Sequence, residues 1–169
     1  LEAAIASARD VLAAARAEGV ATRAYISMAT ACPYEGPTPE RVVHELAAVL
    51  FEAGAGEVIL GDSLGAGTPR QIEALFAALV RRHGAARLCG HFHDTQGMGL
   101  ANVWAALGCG IRRFDAAIGG LGGCPFAPGA RGNLATEDLA HMLAGCGFAT
   151  GIDEARLEDA VATAERLLD

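Results

Sequence analysis

Apolar residues at Leu1, Ile5, Ala8, Leu12 and Ala15 recur at the helical period and predict a helix over 1–18, with Gly19 as its C-cap. Residues 20–28, with Tyr25 and Ile26, read as a short strand, followed by a loop, ATACPYEGPT, dense in turn formers. Thr38 is placed to cap a second helix whose first turn holds Pro39 and Glu40 and which runs to about Ala53. The same unit then recurs three times. A strand over 57–60 leads through GDSLGAGT to a helix opened by Thr68 and Pro69 and ending near His83 and Gly84. A strand over 86–91 leads through HDTQG to a helix over 98–109, closed by Gly110. A strand over 111–118 leads through a long loop to a helix over 134–144, and a last helix covers 153–168.

Strand starts fall about every 30 residues, the length of one βα unit, and the alternation predicts a parallel sheet with right-handed crossovers. Four consecutive units make half of a (β/α)8 barrel, which needs about 250 residues. A complete doubly wound domain is the rival. It usually carries its site in a glycine-rich first βα turn, whereas here the richest loop follows the fourth strand. The fold class expected is therefore α/β: the C-terminal half of a TIM barrel, about four parallel strands with their helices plus a C-terminal helix, over 1–169. The strands of the N-terminal half are expected to be absent. Because the chain starts at Leu1, directly in a helical pattern, it reads as the continuation of something longer.

The 169 residues are 52% hydrophobic, enough to bury a core. A formal net charge of −7 and the lack of any Lys/Arg-rich run argue against nucleic acid or an anionic membrane as partner and favour a small molecule. No stretch approaches the roughly 20 apolar residues of a membrane span, and no export signal opens the chain, so a cytoplasmic location is expected. The five cysteines, Cys32, Cys89, Cys109, Cys124 and Cys146, include no CxxC pair and fit free thiols in a reducing compartment.

Chemistry concentrates at the carboxyl ends of the expected strands. His91 and His93 are one residue apart, so in extended backbone their imidazoles share a face and can share an ion; a hydrogen-bonded pair is the alternative. Cys89, on the same face but deeper, reads as core. Asp94 either orients an imidazole or starts a turn. Asp62 ends its strand at the same rim, as a proton carrier, a holder of metal-bound water or a loop cap. Gly65 and Gly67 allow tight backbone, against a phosphate or acyl group.

The loop 119–133 has six glycines and two prolines around Cys124 and suits a lid presenting one thiol. Asn133 is either a helix cap or a hard oxygen ligand. His44, His83 and His141 read as solvated. Cys109 and Cys146 read as structural residues near helix ends, and Trp104 as packing on an apolar helical stripe. The role of Cys32 stays open.

Together ACPYEG, ILGDSLGAGTP, HFHDTQG and GGLGGCPFAPGARGNLATEDL resemble the 3-hydroxy-3-methylglutaryl-CoA (HMG-CoA) lyase family of metal-dependent TIM-barrel lyases and synthases. The HxHD element is shared with related synthases, whereas the GLGGCP string through TED resembles the lyase branch. The resemblance implies His91, His93 and Asn133 as ligands of a divalent metal, magnesium or manganese foremost. It implies Cys124 as a proton-transferring thiol and Asp62 and His91 as further participants in catalysis. The implied reaction is cleavage of HMG-CoA to acetyl-CoA and acetoacetate, with an acyl-CoA substrate.

One departure accompanies the match. The family's Arg-Asp-Gly motif on the first strand, with a further ligand Asp and an enolate-stabilising Arg, has no counterpart in this sequence. Two expectations follow: a lyase portion active only within a completed barrel, or an inactive fragment. A related lyase acting on another hydroxyacyl-CoA would use the same chemistry. A half barrel is further expected to expose two strand edges and an apolar interior, and so to self-associate as a homodimer of two such halves.

Overall fold

The computed structural model describes residues 1–124 and 131–168. In chain order the elements are helix α1 (Glu2–Ala17), strand β1 (Arg23–Ile26), a hairpin of β2 (Ala31–Cys32) and β3 (Gly36–Pro37), and helix α2 (Glu40–Glu52). There follow β4 (Glu57–Asp62), α3 (Pro69–His83), β5 (Leu88–Phe92), α4 (Gly99–Gly108), β6 (Phe114–Asp115), α5 (Thr136–Gly145) and α6 (Glu154–Leu168). Strands β1, β4, β5 and β6 form one parallel sheet in that order. Sequential parallel neighbours joined by helices are the βα repeat expected from the pattern. Among the described residues no helix is long and apolar enough to cross a membrane.

Local signals explain where most helices start and stop. Thr68 caps α3 by accepting from Gln71 N, and Pro69 occupies its first turn. Gly19, Gly84 and Gly110 take φ of +68°, +83° and +91° just past α1, α3 and α4, a conformation glycine adopts without strain. Thr38 departs from expectation. Pro39 is the N-cap of α2, and the Thr38 hydroxyl instead donates to Met28 O at 2.7 Å, closing the β2–β3 hairpin over the end of β1.

The fourth strand is much shorter than 111–118. Only Phe114 and Asp115 pair with β5, opposite Gly90 and His91. Upstream, the Arg112 guanidinium donates to Leu107 O and Ile111 O at the end of α4. Downstream, Ala117 bridges Ala135 rather than a neighbouring strand.

The two faces of the sheet differ. Ala24, Ile26, Val58, Leu60, Leu88, Phe92 and Phe114 point to the helices and join Val43, Ile72, Phe76, Leu79, Val103 and Leu107 in one apolar core. The opposite face carries Arg23, Tyr25, Glu57, Ile59, Cys89, His91 and Asp115 by strand alternation and register. Arg23 pairs with Glu57 and Asp115, Arg113 with Glu57, and Tyr25 with Asp115. The expected apolar interior is thus corrected: apart from Ile59, the side chains of the inner face form a network of charges and hydrogen bonds, which includes the buried Cys89 thiol, accepting from Arg23 and donating to Asp115.

Two side-chain assignments also change. Trp104 is 57% exposed on the outer side of α4, while Val103, Ala106 and Leu107 do the packing. His44 and His83 are half-buried rather than solvated; His83 lies 4.4 Å from the Phe51 ring, and Arg87 covers that ring at 4.2 Å. His141 and Cys146 are exposed.

Candidate active site

β5 delivers the histidine pair. Strand alternation sends Phe92 into the core against Phe76, at 6.5 Å between ring centres, and sends His91 and His93 to the inner face. Their ring centres are 5.4 Å apart, close enough to reach a common ion. Burial lowers the pKa of both below the ordinary 6.5. For His91, Arg23 adds to this and Asp115 opposes it; for His93, the neighbouring His91 adds and Asp62 opposes. Both imidazoles are consequently neutral near pH 7, the form that binds metal.

Asn133 is brought to the pair by the long loop. It forms an antiparallel bridge with His93, its amide N donates to Gly122 O at 3.1 Å, and Leu134 N donates to Phe92 O at 3.0 Å. It is not a helix cap, because α5 starts at Thr136 with Ala135 as N-cap. Its Nδ2 donates to Leu121 O at 2.8 Å, which fixes the amide, and its Oδ1 is buried with no hydrogen-bond partner among the described residues. An oriented, desolvated acceptor without a donor is costly in a finished protein and is what a hard cation would satisfy.

Among the described residues no three of His, Cys, Asp and Glu gather into a metal-holding group. What the backbone brings together is the His91–His93 pair and, through its bridge to His93, Asn133; two imidazoles and an amide oxygen are a mixed donor set compatible with a divalent ion completed by oxygen from elsewhere.

The base of the loop is a close backbone crossing. A Cβ on Gly132 would lie 1.7 Å from Gly122 O and 2.5 Å from Gly120 O, so no side chain fits there. Glu137, in the first turn of α5, accepts from Gly119 N with both oxygens at 3.1 Å. Asp94 starts the turn after His93. It accepts from Gly99 N at 2.8 Å, receives Arg131 at 3.5 Å and donates its own amide to Gly132 O. Of its two readings the turn holds, with the added task of tying the histidine loop to the far arm of the long loop. Cys124 is half-buried at the end of the near arm. The tip of the proposed lid, 125–130, lies outside the described residues.

Asp62 is redirected. It lies on the helix side of β4, in register with Phe92 rather than with His91, and is 1% exposed. Its carboxylate accepts from the Thr30 hydroxyl and from the amides of Ala66 and Gly67. This is the loop-cap reading, with its charge felt at His93. Gly65 and Gly67 serve the same packing. Added Cβ atoms would meet Thr95 N at 2.8 Å and Thr30 Cγ2 at 2.8 Å, so these glycines admit neighbouring loops rather than a ligand. The groove between α5 and α6, about 410 Å³, includes none of His91, His93 or Asn133 in its lining.

Comparison with known proteins bears on this rim. The HMGL-like family model matches residues 1–163. The chain belongs to the HMG-CoA lyase family. The hydroxymethylglutaryl-CoA lyase of Pseudomonas mevalonii is 48% identical over 143 residues, 85% of this chain and 48% of that protein. The crystal structure of the HMG-CoA lyase from Brucella melitensis superposes with a TM-score of 0.95 at 42% identity, over 99% of this chain and 59% of that one. An HMG-CoA lyase from Acinetobacter baumannii, solved with coenzyme A and 3-methylmalate, gives a TM-score of 0.89 at 38% identity, over 95% and 52% of the two chains. The chain therefore spans about half the length of the curated relatives it matches, and its four strands correspond to part of their TIM barrels.

Of the inner face, sequence reasoning singled out the histidines and Cys89 and missed Asp115, Tyr25 and Arg23 as site residues. Asp115, Tyr25 and Arg23 sit at alternate positions of short strands, and charged residues in inward-facing slots are the signal that marks them.

Proposed function

We propose that this chain carries the His-His-Asn portion of the active site of a metal-dependent carbon-carbon lyase acting on HMG-CoA. The observation that carries the reading is the buried, oriented and unpartnered Asn133 Oδ1 beside two neutral imidazoles, in a member of this family. His91, His93 and Asn133 would hold magnesium or manganese. When bound, the ion supplies Lewis acidity to the substrate's hydroxyl and carboxylate oxygens.

The protein's own residues do the rest. β5 and the long loop fix the three donors, and burial keeps the imidazoles unprotonated. Asp62, through Thr30, Ala66 and Gly67, holds the β4–α3 loop and so acts as a positioning residue. A base accepts the hydroxyl proton of the substrate. The bond between the hydroxyl-bearing carbon and the thioester α-carbon breaks, leaving acetoacetate, and the α-carbon receives a proton to give acetyl-CoA. Cys124, on the loop crossing the rim, is the residue we assign to that proton transfer. The acyl-CoA substrate is supported by the Acinetobacter neighbour, solved with coenzyme A.

A second reading, no turnover by this chain alone, is favoured by its span of about half a lyase and by the missing Arg-Asp-Gly motif. β1 and β6 lie at the two edges of the sheet, which supports pairing with a second copy as a homodimer.

A chimera joining the N-terminal half of the P. mevalonii lyase to this chain tests the function. With manganese it should release acetoacetate from HMG-CoA, and Cys124→Ala should slow release while leaving manganese binding intact. A folded, inactive chimera would contradict the reading, and turnover by the chain alone would contradict the second one.

A further inference from the structure

Asp115 sits directly beside His91: the two are register partners across β6 and β5, both on the inner face. Its carboxylate is held from two sides. Tyr25 donates to Oδ2 at 2.6 Å and Arg23 to Oδ1 at 2.8 Å. Oδ2 then lies 3.8 Å from His91 Nδ1, an atom that is buried and has no hydrogen-bond partner among the described residues. The Tyr25 ring meets the His91 ring edge-on at 6.0 Å, so the phenol both anchors the carboxylate and flanks the imidazole.

The phenol and the guanidinium donate to different oxygens of Asp115 and so fix the orientation of its carboxylate. A fixed anion faces an unpartnered ring nitrogen. Closing the gap by about 1 Å, within reach of a small ring rotation, completes a charge-assisted hydrogen bond.

We propose that Asp115 is the positioning residue for His91, accepting Nδ1–H so that the imidazole is held as one tautomer and presents Nε2 to the rim. Carboxylates commonly serve metal-binding imidazoles in this way, and their loss typically weakens metal affinity by about 10–100-fold. The arrangement would also make β1 part of the site, since Arg23 acts on His91 through Asp115 and Tyr25 does so both through Asp115 and by its own ring contact. The inference rests on the metal-site reading for its consequence but not for its geometry.

Two measurements on the 169-residue chain separate the parts. In the metal-free chain, in mildly alkaline buffer, nitrogen-15 spectra of the histidine side chains should show His91 as the Nδ1–H tautomer. Asp115→Ala should move it toward Nε2–H, and Asp115→Asn, which keeps an acceptor oxygen, should lie between. Manganese affinity should fall about 10–100-fold in Asp115→Ala and recover partly in Asp115→Asn. Tyr25→Phe, at a half-exposed position that tolerates the loss of a hydroxyl, should move both readouts the same way by less, and it serves if the alanine variant does not fold.

His91 found as Nε2–H in the parent chain, or unchanged tautomer and affinity across the variants, would overturn the assignment. A tautomer shift in a chain that binds no manganese would uphold Asp115 as the partner of His91 and refute the metal reading instead.

Discussion

The two faces of one sheet follow opposite rules. Toward the helices, Val58, Leu60, Leu88 and Phe92 are at most 1% exposed and pack against Phe76, Leu75 and Leu79. On the other face these two strands, with β1 and β6, present Arg23, Tyr25, Glu57, His91 and Asp115, joined by ion pairs and hydrogen bonds. Burial of apolar area supplies the stability of the first face. The second contributes modestly, since ion pairs with exposed arginines are worth little, and it holds directional groups where chemistry can use them. The contrast explains how a sheet with an open face can stay folded: what it exposes is polar.

Mutations on the two faces should therefore differ in size. Phe76→Ala, at a fully buried ring packed on Phe92, should cost about 3–5 kcal/mol in urea unfolding. Glu57→Gln removes a carboxylate whose side chain is 8% exposed and which serves both Arg23 and Arg113; their own side chains are 45% and 61% exposed and can return to water. A loss of about 1–3 kcal/mol is expected, and a loss equal to that of Phe76→Ala would erase the distinction.

The pH dependence should be smaller still. Because the folded pKa of Asp115 is depressed, its stabilisation is in place above the unfolded value and is lost as the pH falls through the folded one. The gap in unfolding free energy between the parent chain and Asp115→Asn should thus narrow on acidification below the ordinary value of 3.8. At the bottom of the scale, Trp104→Ala on the outer side of α4 should change stability by less than about 0.5 kcal/mol, as read by the same unfolding curves.

The helix-facing pattern was the legible part of the fold, because periodicity and caps are local. Thr68 with Pro69, and glycines 19, 84 and 110, mark real boundaries. What escaped depends on partners distant in sequence. The β2–β3 hairpin and β6 are two-residue pairings with no periodic signature. Trp104 misled because α4 is apolar on most sides, so spacing does not tell which side faces the core.

That His91 and His93 share the inner face was legible from spacing alone, whereas the surroundings of Asp62 were not: its oxygens are filled by Thr30 and Gly67, which are distant from it or across a loop. The turn and cap readings of Asp94 and Asn133 were separable only once the crossing of the long loop placed Gly132 and Leu121 beside them. Asp115 gained its meaning from register, which no short motif encodes.

The central claim is that the inner rim holds a divalent cation through His91, His93 and Asn133. Manganese titration of the chain, followed by electron paramagnetic resonance and repeated with His93→Ala and Asn133→Ala, tests it most directly. The account predicts a single saturable site in the parent chain, weakened at least about tenfold in each variant while circular dichroism stays unchanged. Equal affinity in the parent and both folded variants would contradict it.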